Sequence, residues 1–289
     1  MTGDRKHAKS PSPLRQFLRR LWRQRLVRVG GAIVCLVIAA ALSASVAAPY
    51  SPTQQDIRSI LRPPSGSHLL GTDELGRDTL TRVLFGAQVS LEVSLIAVGI
   101  SLLAGTLLGL VAGYVRGLTD GTIMRIMDGL LALPTLVLAL AITAMLGPSL
   151  NNVMIAIGVT GVPLFARLVR GQVLSVRELD YIQAARSLGA HDIHVMATHV
   201  LPNVMAPIVV QASLTMPAAI LAEAGLSFLG LGVQPPTPSW GAMLNTAKGY
   251  LQQDPWLAVA PGLAIFVTVL GFNFLGDAIR DALDPRLSN

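Results

Sequence analysis

Long apolar runs alternate with polar connections along this chain of 289 residues. A helix needs about twenty mostly apolar residues to cross the hydrocarbon of a bilayer. Six runs approach that length: Gly30–Ala48, Val89–Tyr114, Thr122–Leu146, Asn152–Leu168, Val204–Leu229 and Trp256–Leu275. Polar residues interrupt the third and fourth, which makes them the least regular. The pattern predicts an all-α, polytopic membrane bundle of six transmembrane helices.

One connection breaks this pattern. Tyr181 to Pro202, YIQAARSLGAHDIHVMATHVLP, is polar, helix-prone and free of proline until its end. Leu179, Ile182 and Ala185 recur at spacing three and give a short helix one narrow apolar stripe. Gly189 interrupts that helix where a left-handed turn is least costly. Ile193, Met196 and Val200 then predict a second short amphipathic helix, stopped at Leu201-Pro202. Two short helices around a glycine elbow form a projecting knob rather than a slack linker.

Composition agrees with a membrane protein: 52% of residues are hydrophobic and 13% charged, against about a quarter charged in soluble domains. Charge also orients the chain. Arg5, Lys6, Lys9, Arg15, Arg19, Arg20, Arg23, Arg25 and Arg28 precede the first run, so the positive-inside rule predicts a cytoplasmic N-terminus. Six spans return the C-terminus, with Arg280 and Arg286, to the same side. Arg116, Arg167, Arg170, Arg177 and Arg186 fall on that side too. The outer segment instead balances Arg58, Arg62, Arg77 and Arg82 with Asp56, Asp73, Glu74 and Asp78. The expected organisation is therefore a basic cytoplasmic tail over residues 1–29 and a transmembrane domain over 30–289. Within the latter lie an outer loop at 49–88, a cytoplasmic loop at 171–203 and a second outer loop at 230–255.

A net charge of +6 invites a nucleic-acid reading. The positive residues concentrate beside an apolar span, however, which suits attraction to anionic membrane lipid and no nucleic acid. A cleaved signal peptide fits poorly, because the first apolar run exceeds the usual length. Cys35 is the one cysteine, so no internal disulfide or cysteine-based metal site can form.

No catalytic constellation emerges. Gly3–Ser10 approaches a phosphate-binding loop, yet Ala8 stands where the second glycine belongs and no strand precedes it. His191, His194 and His199 are spaced three and five apart, which spreads them round a helix as a polar face rather than a metal site. Ionisable residues inside spans are functional candidates. Glu92 is expected near the outer surface, Arg125 and Asp128 as a mutually neutralising pair, and Glu223 near the outer face. There Glu223 lines a gate or bonds to the following SFLGLG turn. Ser213, Thr215 and Met216 occupy mid-span, where small hydroxyls and a flexible thioether suit a permissive cavity wall. Gly105, Gly109 and Gly113 form a small-residue ridge for close helix packing. Pro134, Pro163, Pro207, Pro217 and Pro261 each remove a backbone hydrogen bond within or near a span.

Gln183-Ala184-Ala185, then Gly189, then Leu201-Pro202 resembles the EAA signature of ABC importer permeases, with Gln183 in place of the usual Glu. His68 through Arg82, HLLGTDELGRDTLTR, is similar to the C-type permeases of dipeptide, oligopeptide and nickel importers. It contributes Gly71, Asp73, Gly76, Arg77 and Asp78 as the outer-loop motif; Gly66, Gly71 and Gly76 mark turns, and Asp73, Arg77 and Asp78 are expected to pair locally. DGTIMRIMDGLLALP from Asp120, GPSLN from Gly147, ARLVR from Ala166, EAGLSFLGLG from Glu223, PSWG from Pro238 and GDAIRDALDPR from Gly276 extend the resemblance over about residues 15 to 287.

The resemblance implies a type I importer permease in a bacterial cytoplasmic membrane, with no ATPase site of its own. It implies a second homologous permease, two ATPase subunits that carry ATP and Mg, and an extracytoplasmic substrate-binding protein. It assigns Asp180, Gln183, Ala184, Ala185, Arg186, Gly189, Leu201 and Pro202 to coupling with the ATPase. The expected cargo is short peptides; nickel chelates, glutathione-like peptides and haem are alternatives within the family. Outside it stand an ATPase-independent secondary transporter or channel, and a membrane scaffold or sensor.

Overall fold

The computed structural model describes residues 25–283. Expectations about the tail from Arg5 to Arg23, the near-match at Gly3–Ser10 and Arg286 lie outside these residues. The described residues are helical throughout their packed regions, with one isolated antiparallel bridge between Thr72 and Asp78. The helices are α1 (Arg25–Ala47), α2 (Thr79–Val115), α3 (Gly117–Leu131), α4 (Thr135–Leu146), α5 (Leu150–Val176) and α6 (Asp180–Ser187). They continue as α7 (Asp192–Val195), α8 (Leu201–Phe228), α9 (Trp240–Ala247) and α10 (Trp256–Leu283).

Among the described residues, five helical segments are long and apolar enough to cross a membrane: α1, α2, α5, α7 running into α8, and α10. The expected third span differs. Residues 117–146 form two helices, α3 and α4, meeting at 92°. Pro134 accounts for the break, because it lacks an N–H and biases Leu133 away from helical geometry. Its own carbonyl opens α4 by accepting the Leu138 N–H at 3.0 Å.

Span boundaries also move outward. Asp78 caps α2 by accepting the Thr81 N–H at 2.8 Å, so the helix begins at Thr79 and runs 37 residues. That is about 55 Å, well beyond a hydrocarbon thickness of about 30 Å. The irregular segment before α2 therefore ends at Asp78, with α2 already helical over 79–88, and Glu92 sits a third of the way along α2, exposed. Helix α5 continues straight through Pro163 to Val176.

The core is centred on α2 against α5, the most extensive helix contact. A Cβ at Gly105 would lie 2.7 Å from the Val162 carbonyl, and one at Gly109 would lie 2.5 Å from that of Ala166. At Gly113 the nearest atom is Val173 Cβ, at 2.8 Å. The ridge thus packs within the subunit and lets two backbones touch. Helix α8 closes the other side, with Ala219 and Leu226 joining Val93, Ala97 and Phe165 in one buried cluster. Outward faces remain apolar, with Leu36, Leu42, Leu95, Leu103, Leu107 and Phe266 all exposed. Such an exterior suits lipid rather than water.

Gly109→Ala is expected to destabilise the purified subunit by about 1–3 kcal/mol, because the backbones must separate. Gly99→Ala, whose Cβ meets nothing within 4 Å, should be neutral in the same thermal-unfolding measurement in detergent.

Candidate coupling loop and outer cap

The sequence after α5 folds into the expected elbow. Leu179 flanks α6, Asp180 lies in its first turn and Arg186 in its last, each sign favoured by the helix dipole. The Gly189 N–H donates to Arg186 O at 3.0 Å and the Ala190 N–H to Ala185 O at 3.1 Å. This pairing is the Schellman closure of a helix C-terminus. It demands a left-handed residue, and Gly189 has φ +81°. Open space surrounds its absent Cβ, so backbone conformation alone selects glycine here.

The second arm of the elbow differs from expectation. It does not stop at Leu201-Pro202. Asp192–Val195 passes through a π turn, Met196–Val200, directly into α8. Pro202 has no N–H to give the Thr198 carbonyl, and Leu201 N–H instead reaches back to Met196 O. Pro202 then sits in the first turn of α8, where a missing N–H is tolerated. The buried residues of this arm are Val195 and Val200; Ile193 is 66% exposed. The same widened turn brings residues five apart to one face, so the His194 and His199 rings meet edge-on at 6.0 Å. They are not spread round the helix as an unbroken α-helical pattern predicts. Among the described residues no group of three His, Cys, Asp or Glu could hold a metal ion.

The elbow has a fixed base and a free tip. Ile182, Val195, Val200, Val204 and Ile208 are buried against Tyr114 of α2 and Val169 and Val173 of α5. Leu188, by contrast, is 88% exposed, and Asp180, Gln183, Ala184 and Arg186 also face outward. Ala185 and Leu201 are half-buried. A cavity of about 300 Å³ opens between Arg177, Glu178, Gln183 and Arg186.

At the opposite end of α2 lies the motif from His68 to Arg82. Asp73 accepts the Leu75 and Arg77 N–H groups at 3.0 and 2.9 Å and the Arg77 Nε at 2.6 Å. Arg82 Nε lies 3.4 Å from the same carboxylate. Asp78 does not join this group; it caps α2 and pairs with His68 at 2.9 Å. Burial, with Asp73 alongside, pushes the Glu74 carboxyl above the usual carboxylate range. Gly76 passes so close to the Asp56 carbonyl that no side chain fits there, and Gly71 is buried in the same turn. The motif is a folded cap that seats the first turn of α2.

The mid-span candidates are dispersed. Met216 is buried in the core cluster, not on an open wall. Ser213 and Thr215 are half-buried, and their hydroxyls donate to the Val210 and Gln211 carbonyls. Glu223 is fully buried and accepts from Ser90 Oγ at 2.9 Å and Ser227 Oγ at 2.8 Å. Ser227 also accepts the Val233 N–H of the following turn. Asp128 does not pair with Arg125: across the α3–α5 contact it meets Arg167 at 2.5 Å, while Asp120 meets Arg170. Helical spacing points to the intrahelical neighbour because the bend at Pro134, which turns α3 across α5, is a tertiary fact. Tyr114, Arg177 and Asp192 escape a reading of the sequence; the aromatic ending a span just before Arg116 is the one available hint.

A broken helical bundle with an elbow at one end and a folded cap at the other defines a multi-pass membrane permease. The chain belongs to the family described as binding-protein-dependent transport system inner membrane component, whose model matches residues 105–289. The N-terminal TM domain of oligopeptide transport permease C matches residues 12–64. It is 47% identical to the di/tripeptide transport system permease protein DppC of Pseudomonas aeruginosa over 285 residues, 96% of this chain and 94% of that one. It is 45% identical to the dipeptide transport system permease protein DppC of Alkalihalophilus pseudofirmus over 278 residues, 96% and 91%. It is 46% identical to the glutathione transport system permease protein GsiD of Escherichia coli O1:K1 / APEC over 277 residues, again 96% and 91%. The chain is thus an inner-membrane permease of an ABC importer, a system that works with an ATPase and a substrate-binding protein.

Glu223→Gln should stay within about 1 kcal/mol of wild-type stability and keep uptake, since an amide can serve both hydroxyls. Glu223→Leu should cost about 1–3 kcal/mol by stranding Ser90 and Ser227. Loss of uptake in a stable Glu223→Gln protein would instead mark a functional charge.

Proposed function

We propose that this chain is one of two permeases enclosing a single path for short peptides, driven by two ATPase subunits that bind ATP and Mg. Both termini face the cytoplasm, as the arginines before α1 and in the elbow region favour. An external binding protein delivers substrate to the end of the bundle that carries the folded cap.

One observation carries this reading: the Asp180–Val200 elbow, packed at its base against α2 and α5, offers an exposed apolar tip at Leu188 and Ile193. A tip of that chemistry, on a base seated against the bundle, suits a groove on a moving partner. ATP-driven closure of the two ATPases pushes the elbows and opens the path outward; hydrolysis and separation reset it. Ser213 and Thr215 remain candidates for the path wall, whereas Met216 and Glu223 serve packing. Relatives named for di- and tripeptides, dipeptides and glutathione support a small peptide as cargo.

Reconstitution in proteoliposomes tests the assignment. Peptide uptake should require ATP, both permeases, the ATPases and the binding protein; uptake by this chain alone would overturn it. Gly189→Pro cannot adopt φ +81°, since proline is held near −65°. That variant should assemble and hydrolyse ATP while uptake falls at least about tenfold, the scale of a displaced working geometry.

A further inference from the structure

Tyr114, one residue from the end of α2, meets side chains from α5 and from both arms of the elbow. Its hydroxyl donates to Asp192 Oδ1, at the start of the second arm, at 2.7 Å. The Arg186 guanidinium of the first arm lies 5.4 Å from its ring centre, and that of Arg177, capping α5, lies 5.9 Å from it. Arg177 Nη1 also donates to the Tyr114 carbonyl at 2.6 Å, satisfying a free group at the α2 terminus. Arg186 Nε and Asp192 Oδ1 are 3.9 Å apart, so the two arms are joined to each other as well as to the ring.

Buried apolar packing alone would hold the elbow near the bundle without fixing its angle. The Tyr114 contacts fix it: a hydrogen bond is directional, and a guanidinium within about 6 Å of a ring centre is drawn to its face. One side chain thereby ties both arms to the helix that spans the full bundle. We propose that Tyr114 is the positioning residue through which displacement of the elbow reaches α2, with the Tyr114–Asp192 hydrogen bond as the element that prevents slip. This rests on the reading of the elbow as the ATPase contact.

The test uses the complete transporter in proteoliposomes with a cysteine at Leu188 for crosslinking to the ATPase. Tyr114→Phe keeps a ring beside both guanidiniums and removes only the hydroxyl. Asp192→Asn keeps an acceptor oxygen. Peptide moved per ATP hydrolysed should fall about fivefold in Tyr114→Phe, the lower end of usual coupling factors. Crosslink yield and the amount of assembled complex should stay unchanged, and Asp192→Asn should remain within about twofold of wild type. Asp192→Ala, which leaves α2 untouched, should reproduce the Tyr114→Phe defect. A wild-type peptide-to-ATP ratio in Tyr114→Phe overturns the proposal, as does loss of assembly in both Tyr114→Phe and Asp192→Ala. Absence of the crosslink in otherwise wild-type protein overturns the underlying ATPase contact instead, and the positioning role with it.

Discussion

Backbone contact between α2 and α5 is the constraint on which the remaining structure depends. Lipid tails give helices little reason to associate, so a membrane bundle coheres through close fit and through satisfied polar groups. Gly105, Gly109 and Gly113 supply the fit by removing every atom that would hold the two helices apart. Ser101 supplies a polar tie in the same seam, donating to the Gly158 carbonyl at 2.7 Å. The pair behaves as one beam, and other helices lean on it: α8 through its buried cluster, and α3 through the Asp120–Arg170 pair.

That beam connects two folded devices made from different physics. At its start, Asp73 and Asp78 collect backbone N–H groups and guanidiniums into a cap with little exposed surface. At its end, apolar side chains and the Tyr114 ring hold an elbow whose tip is left bare. Charge organises the cap because each buried carboxylate there is met by N–H groups or a guanidinium. Within the bundle the polar groups include hydroxyls bonded to their own helix, the Ser101 hydroxyl that also reaches a neighbouring one, and a carboxyl held by two serines.

Much of this was legible from residue order. Apolar run length located the spanning helices, the ridge spacing announced a close seam, and Gly189 marked a turn that only its backbone geometry requires. The resemblance carried by HLLGTDELGRDTLTR and by Gln183 to Pro202 led to the family that the comparisons bear out. What residue order concealed was tertiary. Nothing local distinguishes Pro134, which snaps a span, from Pro163, which α5 absorbs in mid-helix. Hydrophobicity windows also overlooked Asp78 as the true start of α2, since a capping carboxylate counts only as a polar residue. The partner of Asp128 lay on another helix, so spacing along α3 offered the wrong arginine.

The π turn at Met196–Val200 has a geometric corollary. Each residue added to an α-helix rotates the downstream chain by about 100°, so one surplus residue in a turn resets the azimuth of all of α8. With it, Val200, Val204 and Ile208 point to the same buried seam as Val195. Ironing that turn into ordinary α-helix would swing the elbow and the long helix out of phase, and one of them would lose its seat. The bulge is therefore a keyway: it ties the heading of a surface lever to the rolling angle of a helix buried in the bilayer.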